Sequence, residues 1–234
     1  MSIESAQVPG ALPSSPQTWS QVWIRAVTQP FPETYEDFVG RPGVSSRRAY
    51  TWVFASSLVG SAFVALGIFL SGGLPTFGAD QGVGLADDLG FSLLALVCIA
   101  PISALFAVLG LMIIAGVSQL VAHALGGTGT YSQLTYTFAA YLAPLSITTG
   151  LLSIIPFLSC LNIPIGIYGL FLNVLAVKSV HRFSWGKALL SSVVILAGII
   201  VLVAVVVIVI LALLGPAIGD VFSNIIRDLG TPVP

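Results

Sequence analysis

Between Phe91 and Leu125 the chain carries no Asp, Glu, Lys or Arg, and between Leu134 and Phe157 it carries none either. About twenty apolar residues in helix cross the ~30 Å hydrocarbon layer of a bilayer. A segment in lipid must satisfy its backbone hydrogen bonds internally, so it is a helix or part of a closed barrel. These runs lack the period-two alternation of a barrel. Composition agrees, with 56% of residues hydrophobic and 7% charged, where soluble domains average about a quarter charged. The fold class is therefore all-α, a polytopic helical membrane protein.

The two runs are separated by Gly126-Gly127-Thr128-Gly129-Thr130-Tyr131-Ser132. Gly126, Gly127 and Gly129 cannot continue a helix cheaply. They mark a sharp turn between two spans.

Taken in order, residues 1–18 are rich in Pro, Ser and Ala and read as a disordered tail. They lack the basic and apolar regions of a secretory signal. Residues 19–49 form an amphipathic arm. Trp19, Val22, Trp23, Ala26 and Val27 share one helical face, with Gln21, Arg25 and Gln29 elsewhere. Pro30 and Pro32 end this helix, and a second short helix over 33–39 groups Tyr35, Phe38 and Val39. Two Trp on such a helix suit the headgroup layer. The same spacing also fits docking on the chain's own bundle or on a partner.

Five spans follow, near 50–70, 99–121, 134–152, 157–177 and 188–214. In the first, Ser57, Ser61 and Ala65 recur every four residues beside Gly60 and Gly67, a pattern that lets helices approach closely in lipid. Residues 89–125 would make a straight helix of roughly 55 Å, too long for one perpendicular span. Pro101 divides it, leaving 89–98 as an interfacial lead-in. The third span is the most polar, with Tyr141, Thr148 and an internal Pro144, and the fourth carries Asn173. The fifth is rich in Val and Ile and faces lipid. Gly215-Pro216 ends it, leaving 215–234 as a short external amphipathic tail.

Orientation follows from Lys and Arg in the short loops. Arg41, Arg47 and Arg48 precede the first span, and Lys178, Arg182 and Lys187 follow the fourth. The first loop has Asp80, Asp87 and Asp88 and no base. Five spans put both basic segments, and the N-terminus, on the cytoplasmic side, with the C-terminus outside.

Catalytic chemistry has little to stand on. No Asp, Glu, Lys or Arg lies inside any predicted span. His123 and His181 sit at span ends, where a lone His is ordinarily structural and not a haem or pigment ligand. Cys98 and Cys160 show no metal or CxxC spacing, and a disulfide between them requires an oxidising outer side. No catalytic residue, metal or cofactor is expected beyond lipid. A net charge of −1 gives no electrostatic case for nucleic acid.

Several segments resemble the Yip family when read in order. They are Pro32-Glu-Thr-Tyr35-Glu-Asp-Phe38, Gly126-Gly-Thr-Gly129-Thr-Tyr131-Ser, Pro144 within the third span, Ile155-Pro156, and Lys178-Ser-Val-His181-Arg-Phe-Ser184-Trp-Gly-Lys187-Ala. The resemblance covers roughly residues 19–214. It implies a five-span protein of a family named for interaction with Rab-type GTPases. It is closer to the bacterial members and so implies the inner membrane. The Asp-Leu-Tyr-Gly-Pro motif of the eukaryotic members' arm has no counterpart here, so the resemblance does not carry GTPase binding to this chain.

The expected role is non-enzymatic: a membrane scaffold, a membrane-organising factor or an accessory subunit. Its partners would be the bilayer and other membrane proteins, or copies of itself. Trp19, Trp23, Arg25, Tyr35, Phe38, Arg47, Arg48, Lys178, His181, Arg182 and Lys187 would form the partner or lipid surface. The alternative is a small-solute transporter or channel using Tyr141, Thr148 and Asn173.

Overall fold

A computed structural model describes residues 18–41, 43–70 and 95–230. The expected N-terminal tail, the Asp-bearing first loop, the first part of the lead-in and the last four residues lie outside them. The described chain is helical, with no strand. Its elements are α1 (Trp19–Thr28), α2 (Pro32–Val39), α3 (Ser46–Leu70), a π turn (Ala95–Ile99), α4 (Ala100–Ala124), α5 (Tyr131–Leu152), a 3-10 turn (Pro156–Leu161), α6 (Asn162–His181) and α7 (Trp185–Gly230).

Helix α5 is the centre of the bundle, packed against α3, α4, α6, α1 and α2. Every residue from Leu134 to Tyr141 is buried. Buried hydroxyls on such a helix need partners. Thr135 donates to Tyr131 O at 2.7 Å, and Thr137 donates to Gln133 O at 2.7 Å. Four other segments are long and apolar enough to cross a membrane: Ser46–Leu70, Leu96–Ala124, Phe157–His181 and Trp185–Gly215. At 22 residues, α5 is about 33 Å long but more polar. Enclosure explains this, because a helix shielded from lipid by its neighbours need not be apolar on its surface. The five-span count rests on α5.

Pro101 stands in the first turn of α4, where its missing N–H costs nothing. The row expected on α3 divides in two. Ser61 Oγ meets Ser103 Oγ of α4 at 3.0 Å, while Gly60 and Gly67 face α5. One boundary differs outright, since α7 does not stop at Gly215-Pro216 but stays helical to Gly230. An internal Pro removes one hydrogen bond and kinks a helix. The backbone nevertheless continues as helix through Pro216.

The arm docks on the bundle. Val22 and Ala26 of α1 are buried, and Tyr35 and Phe38 of α2 have no exposed surface. Tyr35 OH donates to Ala26 O at 2.8 Å, joining the two arm helices. Tyr168 OH of α6 donates to Val27 O, and Ser179 Oγ donates to Pro32 O at 3.3 Å. Trp23 stacks edge-on against Trp52, with ring centroids 6.0 Å apart, and Trp52 lies 5.0 Å from Tyr136. Tyr35 and Phe38 are thus core residues and not surface anchors. Only Trp19, Ile24 and Phe31 remain as large exposed apolar groups of the arm.

Candidate functional site at the arm end of the bundle

The glycine turn is built by its hydrogen bonds. Gly126 takes φ +85°, its N–H donates to His123 O at 3.0 Å, and Gly127 N–H donates to Ala122 O at 2.8 Å. This pair of bonds is a Schellman cap, with glycine in the left-handed position that closes α4. Three residues on, Thr130 opens α5 with a capping box. Its side chain accepts from Gln133 N–H at 3.4 Å, and Gln133 Oε1 accepts from Thr130 N–H at 3.0 Å.

Two side chains latch the turn to the bundle. Gln119 Nε2 donates to Gly129 O at 2.7 Å and lies 2.6 Å from His123 Nε2. Gly129 N–H donates to His181 Nδ1 at 3.2 Å. His181 is 2% exposed, so it belongs to the loop's anchor and not to a docking surface. Its Nδ1 must be unprotonated to accept that bond, so the ring is neutral. Gly127 and Gly129 are needed for room: a Cβ would fall 2.6 Å from His181 Nδ1 at the first and 2.4 Å from Val180 Cγ1 at the second.

The expected cationic set divides by partner. Arg25 lies 3.2 Å from Asp37, and Arg41 pairs with the same carboxylate. Arg48 stacks 5.3 Å from the Trp52 ring centroid, and Lys178 lies 5.1 Å from that of Trp185. Lys187 Nζ donates to Leu125 O at 3.4 Å. Arg182 is exposed and takes a left-handed conformation, φ 54° and ψ 39°. That conformation closes α6 through Phe183 N–H to Lys178 O at 3.0 Å. Together with exposed Arg47, these groups place five bases at one end of the bundle without a carboxylate partner among the described residues. A cavity of about 570 Å³ opens there, lined by Glu36, Thr128, Gln133, Lys178 and Arg182 among others. Burial pushes the Tyr35 hydroxyl pKa above its ordinary value, so the phenol is neutral.

The polar residues of the interior form a short chain. Asn173 Nδ2 donates to Tyr141 OH at 3.3 Å, and Ser192 Oγ donates to Asn173 Oδ1 at 3.4 Å. They line an apolar groove of about 410 Å³ between α5, α6 and α7. Thr148 is not with them; it faces outward and donates to Pro144 O at 2.9 Å. Cys98 and Cys160 are both exposed and unbonded. Among the described residues no three His, Cys, Asp or Glu cluster as metal ligands.

Sequence reasoning missed Gln119, Tyr168, Ser179 and Ser192. Gln119 had a usable signal, since it stands four residues before His123 on the same helical face within an otherwise apolar run. Ser179 and Tyr168 had none, because their partners are backbone carbonyls far away in sequence.

Comparison with curated proteins and with solved structures gives no match. The Yip1 domain matches over residues 27–208, a range that takes in the end of α1, the glycine turn, the His181 latch and the basic segment before α7. The chain therefore belongs to the Yip1 domain family of membrane proteins.

Proposed function

We propose that the protein is a non-enzymatic scaffold or accessory subunit of the membrane that engages its partner through the arm end of the bundle. The observation that carries this reading is the set of five bases without carboxylate partners among the described residues, Arg47, Arg48, Lys178, Arg182 and Lys187, held on packed helix ends. A rigid cationic platform steers acidic surfaces toward itself, and each base near an anionic leaflet contributes about 1 kcal/mol. In this reading α5 also spans the membrane, which makes five spans, and the arm end is cytoplasmic, because that end holds the bases.

Affinity purification of the full-length protein in mild detergent tests the reading. A membrane protein partner should co-purify in fixed ratio and be lost from the Lys178→Ala, Arg182→Ala double variant. Recovery of the chain alone would sink the scaffold reading.

The Tyr141–Asn173–Ser192 chain favours a second reading, passage of a small solute along the α5–α6–α7 groove. Asn173→Leu decides it. Interhelical hydrogen bonds in lipid contribute only about 1 kcal/mol, so this variant should fold. Transport requires that flux into proteoliposomes be present in the parent protein and abolished in the variant.

A further inference from the structure

The arm reaches far down the side of the bundle. The helix ends at the arm side lie together: Gly129 is bonded to His181, Lys187 to Leu125, and Tyr50 OH, four residues into α3, is 3.0 Å from Tyr131 OH at the start of α5. From those ends, three helices bracket the depth of α1. On α3 the cavity shared with Trp19 and Trp23 runs from Thr51 to Val59 and reaches Ile147 of α5, and Ile24 and Val27 share one with Pro144 and Thr148. Tyr168 holds Val27. Pro144 lies thirteen residues into α5 and Tyr168 thirteen before the end of α6, while the α3 lining lies five to thirteen residues in. At 1.5 Å per residue α5 and α6 give about 20 Å, and α3 about 8–20 Å.

At that depth the molecule shows two unlike faces. On α4 the exposed groups are Leu109 and Ile113, and on α7 they are Ile200 and Val201. On α1 and its C-terminal cap they are Gln21, Thr28 and Gln29 beside Trp19 and Ile24. The Arg25–Asp37 pair is also on the arm, with side chains 31% and 40% exposed. Charges facing hydrocarbon are costly, and a helix that mixes Gln, Thr and Trp outward belongs at the headgroup boundary. A flat bilayer cannot satisfy both faces.

We infer that lipid headgroups follow the arm inward, so the bilayer is thinned on the α1 face and of ordinary thickness along α4 and α7. The occupant of the arm's outer face is the headgroup layer itself, with Trp19, Ile24 and Phe31 dipping into the acyl boundary. The protein is then an asymmetric wedge, and its lateral position in a membrane depends on local thickness.

Thiol accessibility tests this without reference to orientation. Cys98→Ser, Cys160→Ser protein is reconstituted, and single cysteines are introduced as Gln21→Cys, Gln29→Cys, Leu109→Cys and Ile113→Cys. Open membrane fragments then expose both sides to a charged thiol reagent. The thiolate is the reacting form and needs water. Labelling of the two arm positions, with loss of labelling at the two α4 positions, is the expected result. Protection of all four would place the arm in hydrocarbon and overturn the inference. Labelling of all four would show that the bundle protrudes from a flat membrane and would equally overturn it. Thr28→Cys and Val201→Cys replace any variant that does not give a monodisperse protein.

Discussion

Gly60 of α3 and Gly150 of α5 meet backbone to backbone. A Cβ on Gly150 would stand 2.6 Å from Gly60 O, and one on Gly60 would stand 2.8 Å from Ser146 O. Two helical turns on, a Cβ on Gly67 would lie 2.7 Å from Ser153 O. Lipid gives no hydrophobic drive for helices to associate, so contact this close is what holds them. Backbone obstacles cannot swing aside as a flexible side chain can. Gly150→Ala should therefore cost about 1–3 kcal/mol, read as a lower melting temperature in detergent. Gly110→Ala is the control, since nothing lies within 4 Å of a Cβ there. Equal effects at the two positions would contradict the packing account.

His181 offers the second prediction. Gly129 N–H is buried and has the imidazole Nδ1 as its partner. His181→Leu keeps the volume roughly but strands that donor, at a cost of about 1–3 kcal/mol. The melting temperature should fall and the Gly129 amide should exchange faster with solvent. His123 is exposed, so His123→Ala should change stability little. An unchanged exchange rate in His181→Leu would show that the turn holds without the latch.

Much of this fold was legible in the sequence because hydrocarbon leaves few choices. Uncharged runs marked the helices, the glycine cluster marked the turn, and Trp19, Val22, Trp23 and Ala26 marked an amphipathic arm. The pattern did not say what covers the apolar face, since a bilayer and a protein surface demand the same spacing. Tyr35 and Phe38 were read as surface anchors for that reason. His181 was misplaced because the loop that buries it comes fifty-two residues earlier. The end of α7 differs because Gly215-Pro216 is a strong local stop signal that the helix nevertheless runs through. Arg182 in a left-handed cap had no signal, since glycine usually fills that position.

Arm docking yields the third prediction. Phe38 has no exposed surface, and replacing a buried Phe by Ala costs about 3–5 kcal/mol. In Phe38→Ala that loss should fall on the arm, which is also tied to α6 by the packing of α2 and by the two hydrogen bonds to Val27 O and Pro32 O. Limited proteolysis in detergent should then cut within residues 19–45 while α3 to α7 stay intact. Tyr35→Phe should cost only about 1 kcal/mol, because it removes one hydrogen bond and no volume. Cleavage spread through the whole bundle would show instead that arm and spans fold as one unit.

The final prediction concerns threading and the place of α5. Between Thr76 and Ser184 the proposed path crosses the membrane three times, by α4, α5 and α6. If α5 did not cross, the path would have two crossings and both residues would share a side. Ser184 is exposed between α6 and α7, beside Lys178, Arg182 and Lys187. In the proposed orientation the excess of bases there puts it in the cytoplasm, while Thr76 precedes Asp80, Asp87 and Asp88 with no base in its loop. Single cysteines at the two positions, in a background lacking Cys98 and Cys160, separate these cases. An impermeant thiol reagent added outside intact cells should label Thr76→Cys and spare Ser184→Cys until the cells are opened. Reversed labelling would keep the five spans and overturn the orientation. Labelling of both from one side would remove α5 from the spans and leave the four helices that meet the length and apolarity requirement on their own.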